Sequence, residues 1–209
     1  MQIVSAIFGG YDKAKPAREQ SIDCTWTLVT DEPGIRAPGW NVVTVPSKPL
    51  ADKWPKLRPW EFSDQGPWIW IDGSVEVMSP DFASEACTAT QAPLSQWEHP
   101  QRDCIYREAK ACAQFRKGDP DQLFAQVDQY RSDGHPEHWG LWAAGVIVYR
   151  ERLDEFAAAW ETEIQRWTRR DQLSEPVVLR RLGLRPDSLP KRIEANPWLR
   201  IHPHRRGSL

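Results

Sequence analysis

The chain has 209 residues, long enough for one generous domain with a sizeable core. Its 27 basic and 29 acidic side chains nearly cancel, giving a net charge of -2. No strongly charged partner such as a nucleic acid or an anionic membrane is therefore demanded by charge alone. The 4 cysteines form no CxxC pair and no dense framework, which reads as reduced thiols in a cytoplasmic protein. The N-terminus carries no basic lead followed by an apolar core, and no stretch approaches the ~18 apolar residues of a membrane span. The 12 tryptophans suit a core and equally suit stacking on sugars or bases, and core packing is the expectation for most.

The first element, residues 3–8, is an apolar, partly β-branched strand that runs straight into Gly9-Gly10. Glycines allow a backbone to approach a ring or phosphate closely, and Tyr11 and Asp12 beside them suit stacking on a base and accepting from a ribose hydroxyl. An ordinary tight turn explains the same residues. Strands follow at 25–29, closing on the acidic turn Thr30-Asp31-Glu32-Pro33-Gly34, and at 40–45. From 47 to 67 recurrent prolines permit only short, interrupted helices. Lys53, Lys56 and Arg58 within that stretch read either as a solvated basic face or as phosphate contacts.

The organising stretch is Trp68-Ile69-Trp70-Ile71-Asp72-Gly73-Ser74. A continuous apolar run marks a strand covered on both faces. Ligands of such sheets collect beyond the strands' carboxyl ends, which is where Asp72 is delivered. A short strand over 75–77 and a helix start at Ser79-Pro80-Asp81 follow. Helical spacing covers 104–116, with Asp103 as its cap, and a second polar helix covers 122–130. The run Gly134-His135-Pro136-Glu137-His138-Trp139-Gly140 is expected to form a loop over a substrate; its spacing matches no standard zinc signature. A late strand spans 145–149, and a helix over 152–167 carries a core stripe of Leu153, Phe156, Trp160, Ile164 and Trp167. A last helix runs through 182 with Ser174 as cap and Pro176 in its first turn, Asp171 standing N-terminal to it. The basic tail around Trp198, Leu199 and Ile201 is expected to dock.

With no repeat, low-complexity segment or linker, the expectation is a single α/β domain over 1–209, its nucleotide-binding half in 1–78 and its acceptor half in 79–209. Asp72 with His202 or His204 returning from the far end offers oxygen and nitrogen ligands suited to Mn²⁺ or Mg²⁺, if diphosphate and water fill the remaining positions. Lys53, Lys56, Arg205 and Arg206 are placed to neutralise a leaving nucleotide. Signatures of P-loop kinases, serine hydrolases, dinucleotide dehydrogenases and HExxH proteases are absent.

Six ordered landmarks carry a resemblance: Ala6-Ile7-Phe8-Gly9-Gly10-Tyr11-Asp12, Val29-Thr30-Asp31, Lys53 with Lys56, Trp70-Ile71-Asp72-Gly73-Ser74, His99-Pro100 with Arg102, Tyr106 and Glu108, and Arg170-Asp171-Gln172-Leu173-Ser174. Together they resemble the glycosyltransferase-like family that includes plant proteins of turgor regulation and seed mucilage. The resemblance implies a glycosyltransferase A fold, a Rossmann-like mixed sheet flanked by helices. It implies a UDP- or GDP-linked sugar donor, hexosyl or pentosyl, and a divalent metal at an aspartate-x-aspartate motif. Phe8, Gly9, Gly10, Tyr11, Asp12, Asp31, Lys53, Lys56 and Arg205 would then hold the nucleotide sugar. Asp72 would bind the metal with His202 or His204, and Ser74 stands where a second acid is usual, acting through water. Asp171 and Gln172 match the family's RDQ motif: Asp171 is the base if the enzyme inverts, and either residue stabilises an oxocarbenium-like centre if it retains. The acceptor is left open among glycan, small molecule, protein and a modified DNA base, and no membrane partner is expected. A non-catalytic carbohydrate- or nucleotide-binding module is the alternative reading, and a metal-dependent phosphoesterase a third that lacks enough carboxylates.

Overall fold

The computed structural model describes residues 1–204 and shows an α/β chain built on a mixed sheet flanked by helices. In order along the chain come β1 (Gln2–Ile7), β2 (Thr25–Thr30), β3 (Asn41–Thr44), α1 (Trp54–Leu57), a 3₁₀ turn (Pro59–Phe62), β4 (Trp68–Ile71), β5 (Val75–Val77) and α2 (Phe82–Thr88). They are followed by β6 (Leu94–Glu98), α3 (Ile105–Gln114), α4 (Pro120–Ser132), β7 (Trp142–Tyr149), α5 (Asp154–Arg166), α6 (Asp171–Arg181), β8 (Asp187–Ser188) and β9 (Leu199–Ile201). Seven strands form the main sheet in the order β3-β2-β1-β4-β7-β6-β8, while β5 and β9 pair antiparallel beside it.

Strands β1 to β4 are mutually parallel, and the chain builds outward from β1 to β3 before returning to β1's other side as β4. The order therefore reverses between β1 and β4, which makes their carboxyl ends a topological switch point, the usual place for a crevice. β4 meets the expectation of a strand covered on both faces. Ile69 and Ile71 pack with Ile3, Val146 and Val148 on one face, and Trp68 and Trp70 with Val4, Ile147 and Tyr149 on the other. Each aliphatic side chain buried this way contributes about 1.5–3 kcal/mol. Trp60, Trp97, Trp160 and Trp198 are also buried, in keeping with a core role for most tryptophans. All four cysteines are free. Among the described residues no helix is long and apolar enough to cross a membrane.

Several boundaries differ from expectation. Ser174 does not cap the last helix, because α6 opens three residues earlier at Asp171, and the Ser174 hydroxyl donates back to the Asp171 carbonyl at 3.1 Å. Pro176 accordingly sits inside the helix and not in its first turn. Asp103 is not the cap of α3 either: Cys104 holds that position without a side-chain bond, and the Asp103 carboxylate instead meets His138 Nδ1 at 2.9 Å. The His135 loop leads into β7 at the sheet's carboxyl edge, yet none of residues 134–140 lines the cavity there. Its His135 ring is buried against Trp139, and burial with the nearby Arg180 and Arg181 lowers its pKa to about 4. β6 was not foreseen, and the tail docks as a strand, β9 lying on β5.

Candidate active site

The carboxyl ends of β1, β2 and β4 converge on a cavity of about 990 Å³. The β1 end turns through Phe8-Gly9-Gly10-Tyr11, closed by the Tyr11 amide donating to the Phe8 carbonyl at 3.1 Å. Both central glycines have positive φ, +59° and +62°, the geometry that makes glycine the economical choice there. Asp31, at the β2 end, accepts from the Gly9 amide at 2.8 Å and so fixes the turn from the neighbouring strand. Phe8, Gly9, Tyr11, Asp12 and Asp31 all line the cavity, whereas Gly10 serves the turn alone.

Asp72 sits at the β4 end and faces the same space. Its amide donates to Gly145 of β7 at 2.8 Å, and its Oδ1 accepts from the Trp70 indole at 3.1 Å, two residues back on the same face. Gly145 makes room for Asp72, and Gly73 for its neighbours Ile7 and Asp12. A Cβ on Gly145 would lie 3.2 Å from Asp72 Oδ2, and one on Gly73 would lie 2.8 Å from Ile7 and 3.3 Å from Asp12 Oδ2. Asp12 is buried and meets His204 Nδ1 at 3.0 Å, while the His204 ring lies 4.8 Å from that of Tyr11. Burial, then the Asp12 and Asp72 carboxylates, push the Tyr11 phenol above its ordinary pKa, against an opposing pull from Arg170. The tail thus places His204 against Asp12, a residue expected at the nucleotide, on the wall of the cavity that Asp72 also lines.

The expected ligands His202 and Ser74 are not brought to the cavity lining. The reason is register. β9 pairs with β5 so that the His202 amide donates to the Ser74 carbonyl, and the His202 ring then meets Glu76 at 2.7 Å. Ser74 itself is buried in that corner. Arg205 and Arg206, expected at the nucleotide, lie outside the described residues. Among the described residues no group of three or more His, Cys, Asp or Glu forms a ready cage for a metal. Asp72, and separately Asp12 with His204 beside it, offer cavity-lining donors of the kind a hard divalent cation takes when one or two protein groups are completed by phosphate oxygens and water.

The opposite wall is built by α1 and the start of α6. Asp171 Oδ2 accepts from Lys53 Nζ and from Lys56 Nζ, each at 2.9 Å, and Asp171 Oδ1 accepts from the Gln172 amide at 3.0 Å. The Asp171 carbonyl accepts from the Trp160 indole at 3.0 Å, and the Lys56 carbonyl accepts from the Tyr149 hydroxyl at 3.0 Å. Core residues of α5 and β7 therefore hold both ends of the ion pair. Although burial opposes ionisation, the two lysines and Arg170 hold the Asp171 carboxyl far below the usual carboxylate range. Gln172 donates from Nε2 to the Trp142 carbonyl at 2.7 Å.

Sequence reasoning missed Trp70, Gly145, Arg169, Arg170 and Lys117 as cavity residues. The Trp70-x-Asp72 spacing was a readable signal, since strand alternation puts both side chains on one face. The His99, Arg102, Tyr106 and Glu108 landmarks stand away from the cavity. Arg102 pairs with Glu108, the His99 ring accepts from the Arg102 amide, and the Tyr106 hydroxyl donates to the His135 carbonyl, so these residues lock α3 to its neighbouring loops.

Acids, a returning histidine and a lysine pair thus line one cavity at the switch point of a mixed α/β sheet, the usual place for a ligand in such folds. The family model for the TOD1/MUCI70, glycosyltransferase-like domain matches residues 39–192, and the chain belongs to that family. It is 24% identical over 212 residues to the probable hexosyltransferase MUCI70 of Arabidopsis thaliana, an alignment covering 84% of this chain and 36% of the plant protein. The chain thus spans about a third of that relative's length. Among solved structures it is similar to the galactosyltransferase LgtC in complex with donor and acceptor sugar analogs, at TM-score 0.48 and 10% identity, over 85% of this chain and 70% of that one.

Proposed function

We propose that this domain is a metal-assisted glycosyltransferase that moves a hexosyl or pentosyl group from a UDP- or GDP-linked donor to a hydroxyl-bearing acceptor. The observation that supports this most is the convergence, on one cavity, of the Gly9 turn, the Asp12–Asp72–His204 corner and the Lys53–Lys56–Asp171 wall. Residues 1–78 supply the nucleotide side, and 79–209 complete the site through α6 and the returning tail.

The nucleoside lies against Phe8 and Tyr11, with Asp31 and the Gly9 turn fixing its rim. Asp72 would hold the cation, with Asp12 and His204 lining the same cavity, and the bound cation would supply Lewis-acid neutralisation of the diphosphate. Lys53 and Lys56 face the same charge from the other wall and stabilise it as the glycosidic bond breaks. Asp171 spends its charge on those two lysines. A base works best with a pKa near the operating pH, so a carboxylate held this low is a weak proton acceptor. Gln172 is tied through its amide nitrogen to Trp142, which leaves its side-chain oxygen as the group turned to the sugar's developing positive charge. This favours retention of the anomeric configuration over an inverting path with Asp171 as base.

Incubation with UDP- and GDP-sugars and Mn²⁺, followed by mass spectrometry of nucleotide and sugar products, tests the proposal. The alternative is a non-catalytic carbohydrate- or nucleotide-binding module. It predicts nucleotide or glycan binding with no turnover of any donor.

A further inference from the structure

One turn beyond Asp171 on α6, Glu175 has no exposed surface, and its side chain's only hydrogen bond among the described residues is from Gln96 Nε2 of β6 to Oε1 at 2.6 Å. Gln96 is equally buried. Two oxygens are left over: Glu175 Oε2 and Gln96 Oε1 have no partner among the described residues. Both are acceptors if Glu175 is ionised, and a buried acceptor without a donor is costly. A single proton on Oε2 removes both deficits, since a carboxylic acid and a carboxamide pair reciprocally, the amide donating to the acid's carbonyl oxygen and the acid hydroxyl to the amide oxygen.

We infer that Glu175 is a neutral acid locked to Gln96, and that it acts as a positioning residue by leaving the Lys53–Lys56–Asp171 triad with a net positive charge toward the diphosphate. This rests on the reading of the cavity as a nucleotide-sugar site. The triad holds two ammonium groups against one carboxylate, so it carries one net positive charge, and a charged Glu175 would cancel it. The groups that face Glu175 are Lys56 from α1, Asp171 from its own helix, Tyr149 from β7 and Gln96 from β6. Burial, reinforced by Asp171 and opposed by Lys56 and Gln96, pushes the Glu175 carboxyl up to about 8. The proton is therefore held at neutral pH and lost in mildly alkaline solution.

Infrared spectroscopy of the full chain without ligand tests the protonation directly, whatever the cavity binds. The expected result is a buried protonated-carboxyl band at about pH 7 that fades near pH 8 and is missing in Glu175→Gln, which preserves shape and the reciprocal pairing. Absence of a band that differs between wild type and Glu175→Gln overturns the inference. The link to the site is read by titrating UDP and GDP with Mn²⁺ through tryptophan fluorescence. Affinity in the wild type should weaken roughly fivefold or more between about pH 7 and pH 9, and in Glu175→Gln that Glu175-dependent part should vanish. Equal pH dependence in both proteins overturns the charge-setting role. Failure of both nucleotides to bind at pH 7 refutes the cavity reading and the diphosphate role with it, while the infrared result still decides whether Glu175 is neutral.

Discussion

Asp171→Asn is the substitution whose cost the structure specifies best. Asparagine keeps the shape and an acceptor for the Gln172 amide, so the change isolates the charge. It leaves two ammonium groups without their shared counter-ion, Lys53 with a side chain 20% exposed and Lys56 with one 6% exposed. Removing one partner of a buried pair costs about 3–5 kcal/mol, and the adjoining cavity admits water, which argues for the lower figure. At about 2–4 °C per kcal/mol for a chain of this size, a loss of about 3 kcal/mol lowers Tm by about 6–12 °C. Differential scanning calorimetry at pH 7 measures it. Asp52→Asn is the control: it breaks the Asp52–Arg169 pair at 2.6 Å, whose partners are 36% and 58% exposed, and should cost less than about 1 kcal/mol. A Tm for Asp171→Asn within about 2 °C of wild type would refute the claim that this carboxylate anchors the two lysines.

Trp70→Phe removes the indole donor to Asp72 Oδ1 and should lower kcat/KM about 10–100-fold with a smaller effect on Tm, as expected for a group that orients the proposed metal ligand. Gly145→Ala pushes a Cβ to 3.2 Å from Asp72 Oδ2 and should raise the metal concentration needed for half-maximal activity. Stability should depend on pH through two groups of opposite sign, read from urea midpoints across the pH range. Asp171, depressed in the fold, contributes stability that is present above the ordinary carboxylate range and lost as pH falls well below it. Glu175, raised to about 8, contributes stability that is fully present below its ordinary value near 4.5 and lost as pH rises through about 8, a loss that Glu175→Gln should abolish.

The strands that position the site were legible because their signals are local. The run Trp68–Ile71 is apolar without interruption and is found as β4, and the glycine pair after β1 marks a real turn with two positive φ values. What was not legible depends on register and long-range contact. Nothing local separates His202 from His204; the β5–β9 pairing does, turning one toward Glu76 and the other toward Asp12. Likewise Lys53, Lys56 and Asp171 read separately as phosphate cations and a base. Only the approach of α1 to α6, across more than a hundred residues, shows that both ammonium groups share that one carboxylate. The caps failed for a related reason: Ser174 and Asp103 have the right chemistry, but tertiary contacts open α6 earlier and draw Asp103 to His138.

The most direct test of the account is product analysis of UDP- and GDP-sugars incubated with Mn²⁺ and either wild-type protein or Asp72→Ala. Metal-dependent release of nucleoside diphosphate and free or transferred sugar by the wild type, reduced at least a hundredfold in Asp72→Ala, is the predicted result. Turnover that persists unchanged in Asp72→Ala, or no turnover of any donor by the wild type, would contradict it.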